Sequence, residues 1–221
     1  MTVQTANLPT IAGLHDVMLE IGNANCKATV QVPADTTSAS LVLILHYGGP
    51  PQGFYGRALI DNLFLPAWRH LNAVMIAPVS QGGEWTTPEN TAAALNLVAA
   101  VEAAYGCDPR RRVVGGYSLG AMGTWHLLAQ QPDYFSAAVP IAGRVPSTFK
   151  PTTTPCYVLH SNADQLFAAS EVTQRLAERV AHGAEICSRF LDGVDHYATG
   201  AYLEALGEVS SWLEEIWSRT R

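Results

Sequence analysis

The sequence predicts an α/β fold in which a mostly parallel central sheet is covered by helices on both faces. Three observations carry that expectation. Six short, continuous apolar runs recur along the chain, the pattern of strands buried on both faces. Patterns of helical length separate them, and such alternation implies βαβ units. With 221 residues, 48% of them hydrophobic and 14% charged, the chain can bury one substantial core, expected as a single domain over residues 1–221.

Taken in order, residues 27–32 alternate polar and apolar and suit an antiparallel strand near the N-terminal edge of the sheet. The continuous apolar runs follow at 41–45, 74–79, 112–116, 137–142, 156–160 and 185–191. The clearest helical pattern is 89–105, with Pro88 near its first turn and Gly106 just past its end. Others span 58–70, 119–131 stopped by Pro132, 170–182 stopped by Gly183, and 201–217. The expected loops are 47–56, 81–88, 143–155 and 161–169, and no internal repeat is visible.

Composition excludes several classes. A net charge of -6 argues against a nucleic-acid partner, because a phosphate backbone is held by clustered Lys and Arg. The one basic run, Arg110-Arg111-Arg112, reads as a solvated turn. No segment approaches the roughly 18 apolar residues of a membrane span, so membrane insertion is not expected. Cys26, Cys107, Cys156 and Cys187 lie far apart without CxxC spacing, which signals neither zinc nor a disulfide framework and suits a reduced, cytoplasmic protein. Residues 1–14 have neither a basic region nor a continuous apolar stretch, so a secretory signal is not expected either.

Gly116-Tyr117-Ser118-Leu119-Gly120 matches GxSxG and falls between a predicted strand and a predicted helix. That setting is the one a strained strand-to-helix turn needs to lift a serine hydroxyl out at the carboxyl edge of a sheet. A serine hydroxyl is a weak nucleophile until a base takes its proton, and the base must be held by a third group. His196 sits in a loop between the last strand and the last helix, while the other six histidines fall in strands, helices or the N-terminal segment. Asp164 lies just beyond the strand 156–160, where its carboxylate would reach the same edge as Ser118. Asp192 and Asp195 are rival acids, but their closeness to His196 in sequence makes it hard to come up beneath the ring. The order Ser, Asp, His is the one found in α/β-hydrolases. Acyl transfer also needs donors for a developing oxyanion. One is expected from the amide of Leu119 and the other from His46-Tyr47-Gly48-Gly49, with Gly48 favoured and Tyr47 second.

The chain resembles small α/β-hydrolases of the phospholipase/carboxylesterase group, peptidase-like serine esterases included. The stretches that carry the resemblance are Cys107-Asp108-Pro109-Arg110, the segment 115–125 with Gly123-Thr124-Trp125, and Tyr134-Phe135-Ser136-Ala137-Ala138-Val139-Pro140. Together they place residues 41 to the end in the family pattern. The resemblance implies Ser118 as nucleophile, Asp164 as acid and His196 as base. Two positions depart from it: Tyr47 follows His46 and Ser161 follows His160, where the family commonly has His-Gly. Larger relatives insert a lid where this chain has only 143–155, too short for a sizeable cap domain. An open, shallow site with loop walls is expected, with Tyr47, Trp85 and Phe167 among its pocket residues. The expected activity is that of a serine carboxylesterase acting on a small-molecule ester, with no metal and no cofactor. A peptidase or acyl-thioesterase on the same three residues, and a catalytically silent binding protein, are the alternatives. Oligomeric state is left open.

Overall fold

The computed structural model describes residues 8–21, 24–49, 53–147 and 152–219. Eight strands form one sheet: β1 (Gly13–Ile21), β2 (Ala24–Val32), β3 (Ser40–Leu45), β4 (Ala73–Pro78), β5 (Arg112–Tyr117), β6 (Ala137–Ile141), β7 (Cys156–Ser161) and β8 (Ile186–Leu191). Their spatial order is β1-β2-β4-β3-β5-β6-β7-β8. β1 pairs antiparallel with β2 and β2 with β4; every other pairing is parallel. β3 and β4 are buried throughout, which is why their sequences run apolar without alternation.

Helices cover both faces. On one lie α3 (Pro88–Tyr105), α4 (Leu119–Gln130) and α5 (Ala169–Ala181), burying Leu97, Val98, Trp125, Leu128 and Val172 against the sheet. The other carries a segmented helix at 57–71 and α6 (Leu203–Arg219), whose Phe64, Trp68, Leu206, Val209 and Leu213 build the second core layer. Each such side chain contributes roughly 1.5–3 kcal/mol on burial. The Trp68 indole also donates to the Leu206 carbonyl at 2.7 Å, tying the two helices together.

β1 is not among the expected elements: Val17 and Leu19 pack toward one core layer and Leu14 toward the other, while exposed Asp16, Met18 and Glu20 break up any apolar run. Two local expectations are corrected. The expected helix 58–70 is broken into α1 (Arg57–Leu59), a π turn (Ile60–Phe64), α2 (Leu65–Trp68) and a 3₁₀ turn (Arg69–Leu71). Pro66, near the start of α2, has no N–H to continue a regular ladder, and the π turn lies immediately before it. The last helix begins at Leu203 after a 3₁₀ turn, Thr199–Tyr202. Between β6 and β7 the chain has only 142–155, and no cap domain is built among the described residues.

The parallel strands β3, β5, β7 and β8 end at one edge of the sheet, so the segments following them converge there. Ligands of open α/β sheets bind at that carboxyl edge.

Candidate active site

Ser118 directly follows β5 and caps α4 with φ 55° and ψ -112°, a sparsely populated conformation for a side-chain-bearing residue. Its N–H donates to the Ile141 carbonyl of β6 at 2.9 Å, so the turn is fixed by the sheet. Gly120 is needed by close approach: a Cβ there would overlap the Leu45 carbonyl at the end of β3. The sharp turn brings the start of α4 against β3 and leaves the Ser118 hydroxyl at the edge.

Three side chains meet at this point. His196 Nδ1 lies 2.8 Å from Asp164 Oδ2, and His196 Nε2 lies 2.8 Å from Ser118 Oγ. A carboxylate only accepts, so Nδ1 carries the proton toward Asp164, and Nε2 is left to accept from the serine hydroxyl. Asp164 and His196 are buried, while Ser118 is half-buried and reachable. Burial acts to raise the Asp164 carboxyl, but the hydrogen bond from His196 and those from the Phe167 and Leu166 amides prevail and hold it below the ordinary carboxylate range. Asp164 is therefore ionised at neutral pH.

The loops bearing these groups are braced from behind. The His196 N–H donates to Gln165 Oε1 at 2.9 Å, and the Tyr117 hydroxyl donates to the His196 carbonyl at 2.8 Å. Burial pushes the Tyr117 phenol well up, so it remains a donor. Ser161, one of the two departures from the family pattern, donates to the Val194 carbonyl at 2.6 Å and accepts the Ala163 N–H, linking the turn of Asp164 to the loop of His196. His160 Nε2–H donates to the Phe167 carbonyl at 2.8 Å, closing that turn from below. The rival acids are engaged elsewhere: Asp192 accepts from Asn162, and Asp195 accepts the Tyr197 N–H.

A cavity of about 380 Å³ opens over Ser118 and His196, walled by Tyr47, Gly48, Tyr117, Leu166, Tyr197 and Thr199. Leu166 and Tyr197 are exposed at its rim. Gly48 lies beside Leu119, whose Cβ would be 3.7 Å from a Cβ placed on the glycine. The Leu119 N–H, in the first turn of α4, donates to no acceptor among the described residues, and neither do those of Tyr47 and Gly48.

Two pocket expectations are corrected. Trp85 is 3% exposed and does not line the cavity: its ring lies against Gly123 of α4, where a side chain would collide with it, and its indole N–H is engaged by the His46 carbonyl. Phe167 stands behind His196, ring centroids 5.3 Å apart, and its neighbour Leu166 forms the wall instead. Tyr47 does line the cavity. Sequence reasoning missed Leu166, Tyr117, Tyr197 and Thr199, although the first three are immediate chain neighbours of residues it selected or of the motif serine.

The arrangement can deprotonate a hydroxyl, deliver it to a carbonyl carbon and offer amides to the resulting oxyanion. Among the described residues no group of three or more His, Cys, Asp or Glu side chains is gathered as a metal site requires, and no helix is long and apolar enough to cross a membrane. Cys26, Cys107, Cys156 and Cys187 are all unpaired, the first three buried.

No protein-family model and no curated protein sequence matches the chain. Solved structures do. A thermostable esterase superposes with a TM-score of 0.75 at 18% identity, covering 91% of this chain; the chain spans 62% of that protein's length. An Agrobacterium tumefaciens protein of unknown function, proposed to be an α/β-hydrolase, gives 0.74 at 20% identity over 91% of this chain and 95% of its own. Esterase 2 of Thermogutta terrifontis, solved with propionate bound, gives 0.70 at 17% identity over 94% and 96%. With the strand order and the serine turn described above, these likenesses establish that the chain has the α/β-hydrolase fold.

Proposed function

We propose that this chain is a serine carboxylesterase that hydrolyses small carboxylic esters through an acyl-enzyme on Ser118. The observation that carries the reading is the unbroken relay Ser118–His196–Asp164, both hydrogen bonds at 2.8 Å, opening into a cavity rather than packed away. In the first half-reaction Ser118 Oγ bonds to the ester carbonyl carbon as its proton passes to His196 Nε2. The negative carbonyl oxygen of the tetrahedral intermediate is held by the amides of Leu119 and Gly48. Collapse breaks the bond to the alkoxy oxygen, which leaves as alcohol with the proton from His196. Water then repeats the sequence on the acyl-enzyme, releasing the acid and restoring Ser118. Asp164 keeps His196 in the Nδ1–H tautomer and stabilises its cation.

The cavity volume of about 380 Å³ sits at the low end of the roughly 300–1,000 Å³ of small-molecule sites, and its walls are aromatic and aliphatic. The modest volume favours a short acyl group over a long lipid chain. The same three residues serve a thioesterase or peptidase, so the test uses matched substrates. p-Nitrophenyl esters from acetyl to palmitoyl, with thioester and anilide counterparts, are given to wild type and Ser118→Ala. The expected result is ester turnover that declines with chain length, exceeds anilide turnover and vanishes in the variant. Ester turnover that survives in Ser118→Ala overturns the reading.

A further inference from the structure

The loop 46–48 directly after β3 has an unusual property: each of its three successive carbonyls accepts a hydrogen bond from a side chain. The His46 carbonyl takes the Trp85 indole N–H at 2.9 Å. The Tyr47 carbonyl takes the His46 ring at Nδ1, 2.7 Å away, and the Gly48 carbonyl takes the Tyr55 hydroxyl at 3.1 Å. The direction of the His46 bond is fixed independently. His46 Nε2 lies 3.0 Å from the Ser80 backbone N–H, which can only donate, so the ring proton must be on Nδ1.

In a trans peptide the C=O and N–H of one unit point in opposite directions, and no cis peptide occurs among the described residues. Holding the carbonyls of His46, Tyr47 and Gly48 therefore aims the N–H groups of Tyr47, Gly48 and Gly49 the opposite way. None of these three amides has an acceptor among the described residues, and Tyr47 and Gly48 line the cavity with Ser118. The donors are themselves held. Trp85 is buried against α4, and the His46 ring lies edge-on to both Trp85 and Tyr55 at centroid distances of 4.8 Å; Tyr55 meets Tyr47 at 5.2 Å. A loop containing Gly48-Gly49 would otherwise sample many backbone states. Donors stabilise a developing charge to the extent that they need no reorganisation at the moment of reaction.

We infer that Tyr55 and Trp85, acting with His46, form a carbonyl clamp that presets the oxyanion-binding amides of the 47–49 loop, and are positioning residues for acyl transfer. This rests on the esterase reading above. The three donors come from β3's end, from the residue two before α1 and from the loop before α3, so the clamp ties the loop to three separate parts of the fold. Tyr55 is the cleanest member to remove, because phenylalanine keeps the ring and deletes only the hydroxyl.

The test uses Tyr55→Phe and Trp85→Phe with two readouts. The first is independent of turnover: in glycine-¹⁵N-labelled protein, the Gly48 and Gly49 amide order parameters are compared with wild type. The second is kinetic: kcat and KM on p-nitrophenyl acetate, together with inhibition by a trifluoromethyl ketone that becomes a tetrahedral oxyanion adduct on the serine. The clamp predicts lower order at Gly48, kcat reduced about tenfold, KM within about twofold, and trifluoromethyl ketone affinity weakened in proportion to kcat; deleting a direct oxyanion donor costs about 100- to 1,000-fold. Unchanged order at Gly48 in Tyr55→Phe overturns the clamp. Lower order with unchanged kcat and inhibitor affinity overturns its role in the reaction. If Trp85→Phe does not fold, Tyr55→Phe decides alone. A wild type inert on every ester defeats the esterase reading instead, and the glycine amides still report on the clamp.

Discussion

Replacing Asp164 by asparagine isolates what the carboxylate does, because the structure dictates how the amide must sit. Asp164 Oδ1 accepts two backbone N–H groups, from Leu166 and Phe167, each at 2.8 Å. A replacement amide that turned its NH₂ toward them would set donors against donors, so its oxygen must take the Oδ1 place. The NH₂ then occupies the place of Oδ2, which lies 2.8 Å from His196 Nδ1. Facing a donor, Nδ1 must become the acceptor, and the ring proton moves to Nε2, opposite Ser118 Oγ. His196 can no longer take the serine proton. The equivalent exchange in a chymotrypsin-type enzyme lowers kcat about 10⁴-fold, which is about 5.5 kcal/mol in the barrier. Asp164→Asn is therefore expected to lose about 10⁴-fold in kcat on p-nitrophenyl acetate, with KM little changed and circular dichroism as in wild type. A variant that keeps more than about a tenth of wild-type kcat refutes the tautomer argument.

Two further outcomes follow from the packing and the buried imidazoles. Gly120→Ala places a Cβ against the Leu45 carbonyl, backbone that cannot swing aside, so it is expected to lose at least about 3 kcal/mol in chemical denaturation; wild-type stability would contradict the described turn. Burial holds His46, His126 and His160 below the ordinary imidazole range, so the unfolded chain binds protons first as pH falls. Their contribution to stability is complete above the unfolded pKa of about 6.5 and is lost as pH falls toward the folded values, so the midpoint of thermal unfolding should drop between about pH 7 and 5; a flat or rising profile contradicts neutral burial.

The parallel core of the fold was legible because its strands are buried on both faces and advertise themselves as apolar runs, as at β3 and β4. β1 was not, since a half-solvated edge strand fills alternate positions with residues such as Asp16 and Glu20. The broken helix at 57–71 reads as one periodic segment until the missing N–H of Pro66 is weighed against its ladder. At the site, Ser118, Asp164 and His196 could be selected by type and by place after a strand, since chemistry restricts both. Trp85 could not be assigned correctly by such reasoning. Its distance from the serine motif in sequence hides that it packs on Gly123 and donates its N–H to a backbone carbonyl. Leu166 and Phe167 are adjacent, and which of them faces the cavity depends on the turn that Asp164 Oδ1 organises.

The most direct test of the central claim is covalent labelling of the protein with a fluorophosphonate, followed by intact-mass analysis, peptide mapping and ester turnover on the same samples. The account predicts one adduct per chain, located on Ser118, with turnover lost in proportion to labelling and no adduct in Ser118→Ala. Labelling at another residue, or full ester turnover in fully Ser118-labelled protein, would contradict it.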